Sequence, residues 1–243
     1  MTLAEISASF LAFIRENEFS SPQSQSRAHE RALLLLTEYF SSNITLSEIT
    51  PARLRDFLGR WYVERACASK RSDLESDGSE SDVVPNPRAL LNTLAQFFKW
   101  ADQQEGTDLA ERSSAVLLEL TRSLPRTLEI IDVLSSRLRE RGGAFSFPEF
   151  LTSFEEGGHT EYDIDTPGSV GALEGYFRIL SVEGSSVEAE ELISEERVWP
   201  IIFPPGVASL IDDRYIMNLE LVRGPAGWQI AGCGFAYPPG TEV

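Results

Sequence analysis

The stretch YIMNLELVRGPAGWQIAGCGFAY, residues 215–237, decides the fold of the C-terminal part of this chain. Apolar and polar residues tend to alternate on both sides of the Gly-Pro-Ala-Gly segment. A period of two is typical of a β-strand with one buried face. The short connection predicts a hairpin whose two strands are Tyr215–Arg223 and Trp228–Tyr237.

Similar alternation predicts four more strands upstream of this hairpin. They are Thr160–Asp165, Glu174–Val182, Ser186–Ile193 and Val198–Phe203. Five or six short strands in about 80 residues favour a small closed or nearly closed barrel, either SH3-like or OB-like. The aromatic residues in or near these strands are interpreted as core side chains: Trp199, Phe203, Trp228, Phe235 and Tyr237.

The first part of the chain has helical periodicity instead. Thr50-Pro51 and Asn86-Pro87 each place an N-cap residue before a proline at the first helical position, and Gly106 is a stop signal. Apolar residues at helical spacing and these signals predict seven helices. They cover residues 6–14, 24–40, 51–62, 87–105, 107–121, 125–141 and 146–154.

An acidic segment separates the third and fourth predicted helices. Residues 69–84 contain Asp73, Glu75, Asp77, Glu80 and Asp82 among serines and a glycine. Such a composition predicts a flexible loop. The loop is either a solvated connection or a tail that binds a partner.

These patterns predict an α+β protein with three parts. Residues 1–106 form a helical domain that includes the acidic loop, residues 107–158 form a helical connector, and residues 159–243 form the small β-barrel.

The net charge restricts the partners that we expect. The chain has 21 basic and 38 acidic residues, which gives −17 and disfavours phosphate backbones and anionic membranes. The sequence has no signal-peptide pattern, no apolar run long enough to span a membrane, and only Cys67 and Cys233. The expected location is the cytoplasm.

Two stretches of the helical domain carry a family resemblance. LSEITPARLRDFL (46–58) and NPRALLNTLAQFFKWA (86–101) look like the third and fourth helices of one known domain. Over residues 6–106 the chain resembles the SAM-like core-binding domain of tyrosine recombinases and phage integrases. That resemblance implies a helical domain that forms half of a clamp around duplex DNA.

The resemblance also suggests candidate DNA-binding residues. Arg88 and Lys99 stand where the family often has basic residues, and Arg27 and Arg31 are spaced to reach phosphates together. A solvated helix face explains the last two equally well. Arg53 and Arg60 are better explained by surface ion pairs with neighbouring acidic residues.

The catalytic half of that family has no counterpart in the sequence. Its chemistry needs a His-x-x-Arg motif, but His29 and His159 are the only histidines and neither has arginine three positions later. We therefore expect no enzyme activity and no cofactor.

One stretch has the composition of a metal site. His159, Glu161 and Asp163 alternate, so on a strand they would share one face. Because parallel side chains of that kind diverge instead of converging on one ion, a solvent-facing strand explains the pattern better than a metal does.

The sequence thus predicts a non-catalytic binding or adaptor protein. A protein or a basic peptide is the favoured partner, because residues 113–243 alone hold 9 basic and 21 acidic residues. The alternative is a DNA-binding accessory or remnant of a recombinase system, with duplex DNA as a ligand that the net charge weakens.

Overall fold

The computed structural model describes residues 1–17, 23–75, 84–140 and 171–243. Helices occupy the N-terminal part and strands the C-terminal part, which confirms the α+β class. The predicted helix over 146–154, the predicted strand over 160–165 and the candidate metal ligands His159, Glu161 and Asp163 lie outside the described residues.

In chain order, the helical elements are α1 (Leu3–Asn17), α2 (Gln23–Phe40), a 3₁₀ turn (Leu46–Glu48), α3 (Pro51–Asp56), a π-helical turn (Phe57–Trp61), α4 (Tyr62–Glu75), α5 (Pro87–Glu105) and α6 (Leu109–Glu140).

The predicted start and stop signals are confirmed. The Thr50 side chain accepts a hydrogen bond from the Arg53 amide, and the Asn86 side chain accepts one from the Ala89 amide. Gly106 ends α5 in the left-handed conformation with φ of 64°. Local chemistry therefore sets these helix ends, as the N-cap and C-cap preferences require.

Helices α1, α2 and α5 share one core. Phe10 of α1 and Phe97 of α5 are buried with their ring centroids 5.5 Å apart in an edge-to-face arrangement. The buried His29 of α2 forms a hydrogen bond between its Nδ1 and Thr93 Oγ1 of α5, at 2.9 Å. Apolar packing and one buried polar contact thus fix the facing sides of α2 and α5.

The prediction of two helices over 107–121 and 125–141 is wrong. A single helix, α6, runs through Pro125. Buried Leu117, Leu120, Leu124 and Leu128 continue the apolar stripe across the proline at a spacing of three or four. Continuous burial of one face therefore keeps the helix going where the proline removes one backbone donor.

The prediction of a flexible loop from residue 69 is wrong at its start. Helix α4 continues to Glu75, and residues 76–83 lie outside the described residues. Extending an existing helix fixes one residue per added hydrogen bond, so residues such as Lys70, Arg71 and Leu74 prolong it easily.

Contacts divide the chain into two units. The first is Met1–Pro125 with Thr241–Val243, and the second is Arg126–Gly240. The division falls inside α6, whereas the sequence pattern predicts boundaries after residues 106 and 158. The three-part division stays a prediction.

The second unit contains a five-stranded sheet. Its strands are β1 (Ala172–Glu183), β2 (Ser186–Glu191), β3 (Arg197–Ile202), β4 (Ile216–Gly224) and β5 (Gly227–Tyr237). All five agree with the predicted strands to within two residues at each end. The predicted β4–β5 hairpin is confirmed, with Gly224 paired to Gly227.

The strand order is β1-β2-β3-β5-β4, and β4 pairs back onto β1, so the pairing closes on itself. Among the five described strands only β3 and β5 pair in parallel, through Ile201 opposite Trp228 and Ile202 opposite Gln229. Gly227 lies next to this short ladder with φ of 132°, and a Cβ there would be 2.6 Å from the Pro200 carbonyl oxygen. Glycine is therefore needed where β3 meets β5.

Candidate functional site

The two candidate DNA-binding residues of α2 lie on the side that faces away from α5. His29 points toward α5, where it contacts Thr93. Arg27 and Arg31 are each two residues from His29, and two residues correspond to a rotation of about 200° around a helix. Arg27 is exposed and Arg31 is half-buried.

The two candidates of α5 also face away from the α2–α5 contact. Arg88 and Lys99 are five and six residues from Thr93, which places them about 140° and 120° around α5 from it. Both side chains are exposed. The structure thus brings Arg27 near Arg31 on α2, but it does not bring either of them to the face that holds Arg88 and Lys99.

Arg53 and Arg60, the two arginines for which the sequence predicts ion pairs, have local partners. Arg60 forms the expected ion pair with Asp56, Nε to Oδ1 at 3.0 Å. Arg53 instead donates to the Glu48 carbonyl oxygen at 3.2 Å and stacks on the Phe40 ring at 4.8 Å. Intramolecular contacts therefore account for both guanidinium groups.

A polar contact joins α2 to the end of α3. The Tyr39 hydroxyl donates to Asp56 Oδ2 at 2.5 Å, beside the rings of Phe57 and Trp61. Burial, together with this hydrogen bond and the negative charge of Asp56, raises the pKa of Tyr39 to about 12. The side chain is therefore a neutral donor and not a nucleophile near neutral pH.

The β2–β3 hairpin carries exposed apolar side chains. Trp199 is 60% exposed and Ile193 is 89% exposed, while Val187 and Ala189 of β2 are fully buried on the opposite face. We call the outer face of this hairpin the hairpin surface. It is defined by Glu188, Glu190, Ile193, Glu195, Glu196 and Trp199.

The interpretation of Trp199 as a core residue is wrong, whereas Phe203, Trp228, Phe235 and Tyr237 are buried as predicted. Val187 pairs with Ile201 and Ala189 with Val198, so β3 has one residue more than β2 over this stretch. A bulge of this kind changes the direction of the side chains beside it. The sequence does contain a signal: Trp199 is two residues from Arg197, which is exposed.

The hairpin surface is acidic. Residues 183–197 contain six glutamates and one arginine. Glu190 pairs with Arg178 at 3.1 Å and Glu188 with Arg197 at 3.8 Å, so arginines from β1 and β3 neutralise two of the carboxylates. Glu195 and Glu196 are exposed at the hairpin tip next to Ile193 and form no ion pair with a residue that the structure describes.

Glu191 stabilises the hairpin tip through hydrogen bonds to its backbone. Its Oε2 accepts hydrogen bonds from the amides of Ile193 at 3.0 Å and Ser194 at 2.5 Å. Burial opposes ionisation of Glu191, but these hydrogen bonds outweigh it and hold the pKa below its usual value. Gly175 of β1 makes room for this side chain, because a Cβ there would be 2.9 Å from Glu191 Oε1.

Among the residues that the structure describes, no three His, Cys, Asp or Glu side chains are grouped closely enough to bind a metal ion. Within the same residues, no helix is both long enough and apolar enough to cross a membrane. Comparisons with protein-family models, with curated proteins and with solved structures find no match for this chain.

Proposed function

We propose that this chain is a non-catalytic binding protein of the cytoplasm, an adaptor whose hairpin surface binds a protein or peptide with net positive charge. One observation carries the proposal: an exposed tryptophan and an exposed isoleucine lie on a hairpin whose tip holds two exposed carboxylates that form no ion pair with a described residue. Tryptophan is enriched among the residues that dominate binding energy in protein interfaces.

The charge around Trp199 selects the class of partner. Between residues 171 and 243 there are eleven acidic side chains and four arginines, a net charge of −7. Single-stranded nucleic acid needs cations beside its stacking platforms, whereas a basic polypeptide is attracted by this field. Arg197 is the nearest cation along the chain to Trp199, and it is engaged with Glu188.

The proposal includes a fold type for each unit. For the sheet we favour the OB-like type over the SH3-like one, because β4 pairs with β1 and β5 instead of β3, a Greek-key path. For the helical unit we retain the likeness to a recombinase core-binding domain, which rests on the motifs at 46–58 and 86–101.

Photo-crosslinking from position 199 tests the proposed function. A photoreactive phenylalanine analogue replaces Trp199 in the full chain, expressed in its native host, and the products are analysed by mass spectrometry. We expect a discrete protein product whose crosslinked segment is basic. That product should disappear when Glu195→Lys and Glu196→Lys are added, because the tip would then repel the partner.

The control places the same analogue at Leu34, which is 64% exposed on α2 in the other unit. Identical products from both positions would mean that the contact is non-specific. Products containing only nucleic acid, or no product at all from position 199, would contradict the proposal.

Duplex DNA is the second candidate ligand, and the placement of Arg27 and Arg31 on one face of α2 favours it. A gel-shift assay at about 50 mM salt tests it, since phosphate contacts are strong at low salt. A shift that is lost in the Arg27→Glu/Arg31→Glu variant would support DNA binding. The proposed adaptor function predicts no shift for the unmodified chain.

A further inference from the structure

A groove of about 280 Å³ lies between α5 and the first half of α6, within the first unit. Its walls are mostly apolar: Leu91, Ala95 and Phe98 from α5, and Ala110, Leu117 and Leu118 from α6. Leu118 is 77% exposed at the open side. Leu118 extends the apolar surface beside the groove that an amphipathic helix would contact.

One carboxylate joins the two helices that line this groove. Asp102, near the end of α5, accepts hydrogen bonds from the amides of Leu109 and Ala110 at the start of α6, both at 2.8 Å. The same side chain accepts a hydrogen bond from the Thr107 hydroxyl. The two helices that line the groove are therefore joined by a cap that satisfies two of the first amides of α6.

The rim of the groove is basic, although the chain as a whole is acidic. On α5 an exposed stripe contains Arg88, Asn92, Ala95 and Lys99, and its middle two residues line the groove. Arg88 and Lys99 form no ion pair with any residue that the structure describes.

On α6 the corresponding exposed stripe contains Glu111, Ala115, Leu118 and Arg122. The two stripes together carry three cations and one carboxylate. The α5 stripe holds two cations and no carboxylate, so it has the opposite sign to the hairpin surface and to the net charge of −17.

We propose that the α5–α6 groove binds an acidic amphipathic helix of a partner protein. Apolar side chains at positions i, i+3, i+4 and i+7 of that helix contact Ala95 and Leu118, and its carboxylates contact the rim. Duplex DNA does not fit this surface, because phosphates gain nothing from an apolar floor. Two of the residues that the recombinase likeness suggests for DNA, Arg88 and Lys99, thereby acquire a different role.

The spacing of the cations sets the length of the occupant. Arg88 and Lys99 are eleven residues apart, which corresponds to about 16 Å along a helix axis. A bound helix packed alongside α5 therefore needs about three turns, with carboxylates near both ends. The inference is independent of the proposed function, since the two surfaces share no residue.

Selection from a phage-displayed library of random 16-residue peptides tests the proposal. The baits are the full chain, its Arg88→Glu/Lys99→Glu variant and its Trp199→Ala variant, each checked for folding by circular dichroism. We expect the unmodified chain to enrich acidic peptides with the i, i+3, i+4, i+7 apolar pattern. These peptides should bind the Arg88→Glu/Lys99→Glu variant at least about tenfold more weakly and the Trp199→Ala variant unchanged, because charge reversal acts only on the groove rim.

A second variant, Leu118→Asp, removes the apolar contact and adds a carboxylate that repels an acidic peptide, while Arg88 and Lys99 stay in place. It should also abolish binding of the acidic peptides. Three results would each overturn the proposal. The selection could enrich only basic peptides, or it could enrich no helical pattern. The third such result is that the acidic peptides bind both groove variants as well as they bind the original chain. Failure of the proposed function would give a different result: no selected basic peptide would bind the Trp199→Ala variant more weakly than the original chain.

Discussion

The hairpin surface and the α5–α6 groove both expose apolar side chains, but they differ in charge and in construction. The hairpin surface is acidic and depends on irregular features of the sheet: a bulge in β3 and a close approach between β3 and β5. The groove is basic at its rim and depends on regular helices joined by the Asp102 cap. Each surface therefore attracts a partner of a different charge, and substitutions at different residues should disrupt it.

The largest loss of stability is expected at Trp228, in contrast with Trp199 of the same sheet. Trp228 is 9% exposed and packs in the core, so Trp228→Ala should cost about 3–5 kcal/mol of unfolding free energy. Trp199→Ala should change it by less than about 0.5 kcal/mol. Urea unfolding of both variants checks the contrast. Equal costs would mean that Trp199 is a packing residue and that the hairpin surface is misassigned.

The next largest effect concerns the junction between β3 and β5. Gly227→Ala should destabilise the sheet unit by about 2–4 kcal/mol, because its Cβ would collide with the Pro200 carbonyl at a positive φ. Gly184→Ala is the matched control, since Gly184 has φ of 63° with nothing within 4 Å. It should cost only about 1–2 kcal/mol, the cost of the left-handed backbone alone. Thermal unfolding of the two variants distinguishes these costs, and similar costs would contradict the close approach.

A smaller effect is expected at the groove. Asp102→Ala should cost about 1–2 kcal/mol, since it leaves the first amides of α6 without their acceptor. Asp102→Asn retains one side-chain oxygen and should lose less. The amide exchange rates of Leu109 and Ala110 provide the direct measurement. Unchanged exchange in Asp102→Ala would mean that the cap does not hold α6.

The smallest effect is a pH dependence confined to the helical unit. The pKa of Tyr39 is raised from 10.0 to about 12, so its contribution to stability is complete below pH 10 and is lost as the pH rises toward 12. Tyr39→Phe should remove this part of the loss of stability at alkaline pH. The ultraviolet absorbance of tyrosinate in this variant should show one fewer late-titrating group, that is, one fewer tyrosine that ionises only above its usual pKa. A titration curve that keeps all its late-titrating groups in the variant would contradict the Tyr39–Asp56 contact.

Local signals in the sequence predict most of the secondary structure. Thr50-Pro51 and Asn86-Pro87 open helices where predicted, because an N-cap depends only on residues within one turn. The β4–β5 hairpin follows equally from its turn and its alternation. Pro125 misleads because a proline at a helix start and a proline inside a helix look alike locally. The buried stripe from Leu117 to Leu128 decides between them.

The surfaces are harder to predict than the elements. The exposure of Trp199 depends on a register shift between β2 and β3, and the local sequence signals it only weakly, through the two-residue spacing from Arg197. The groove depends on how α5 lies against α6, where the Asp102 side chain bonds to the amides of Leu109 and Ala110, a contact that apolar spacing does not reveal. Arg88 and Lys99 are visible in the sequence as exposed cations, but the apolar floor beside them appears only when α6 is in place.

Calorimetric titration of the two peptide classes into one set of variants tests the central claim, that the chain binds two polypeptides of opposite charge through two separate surfaces. One acidic and one basic peptide from the selection are each titrated into the full chain, Trp199→Ala and Leu118→Asp. We expect Trp199→Ala to weaken only the basic peptide, by about 2 kcal/mol or roughly 30-fold, and Leu118→Asp to weaken only the acidic one. If one variant weakens both peptides, or if neither variant weakens either, the assignment of two separate surfaces is wrong.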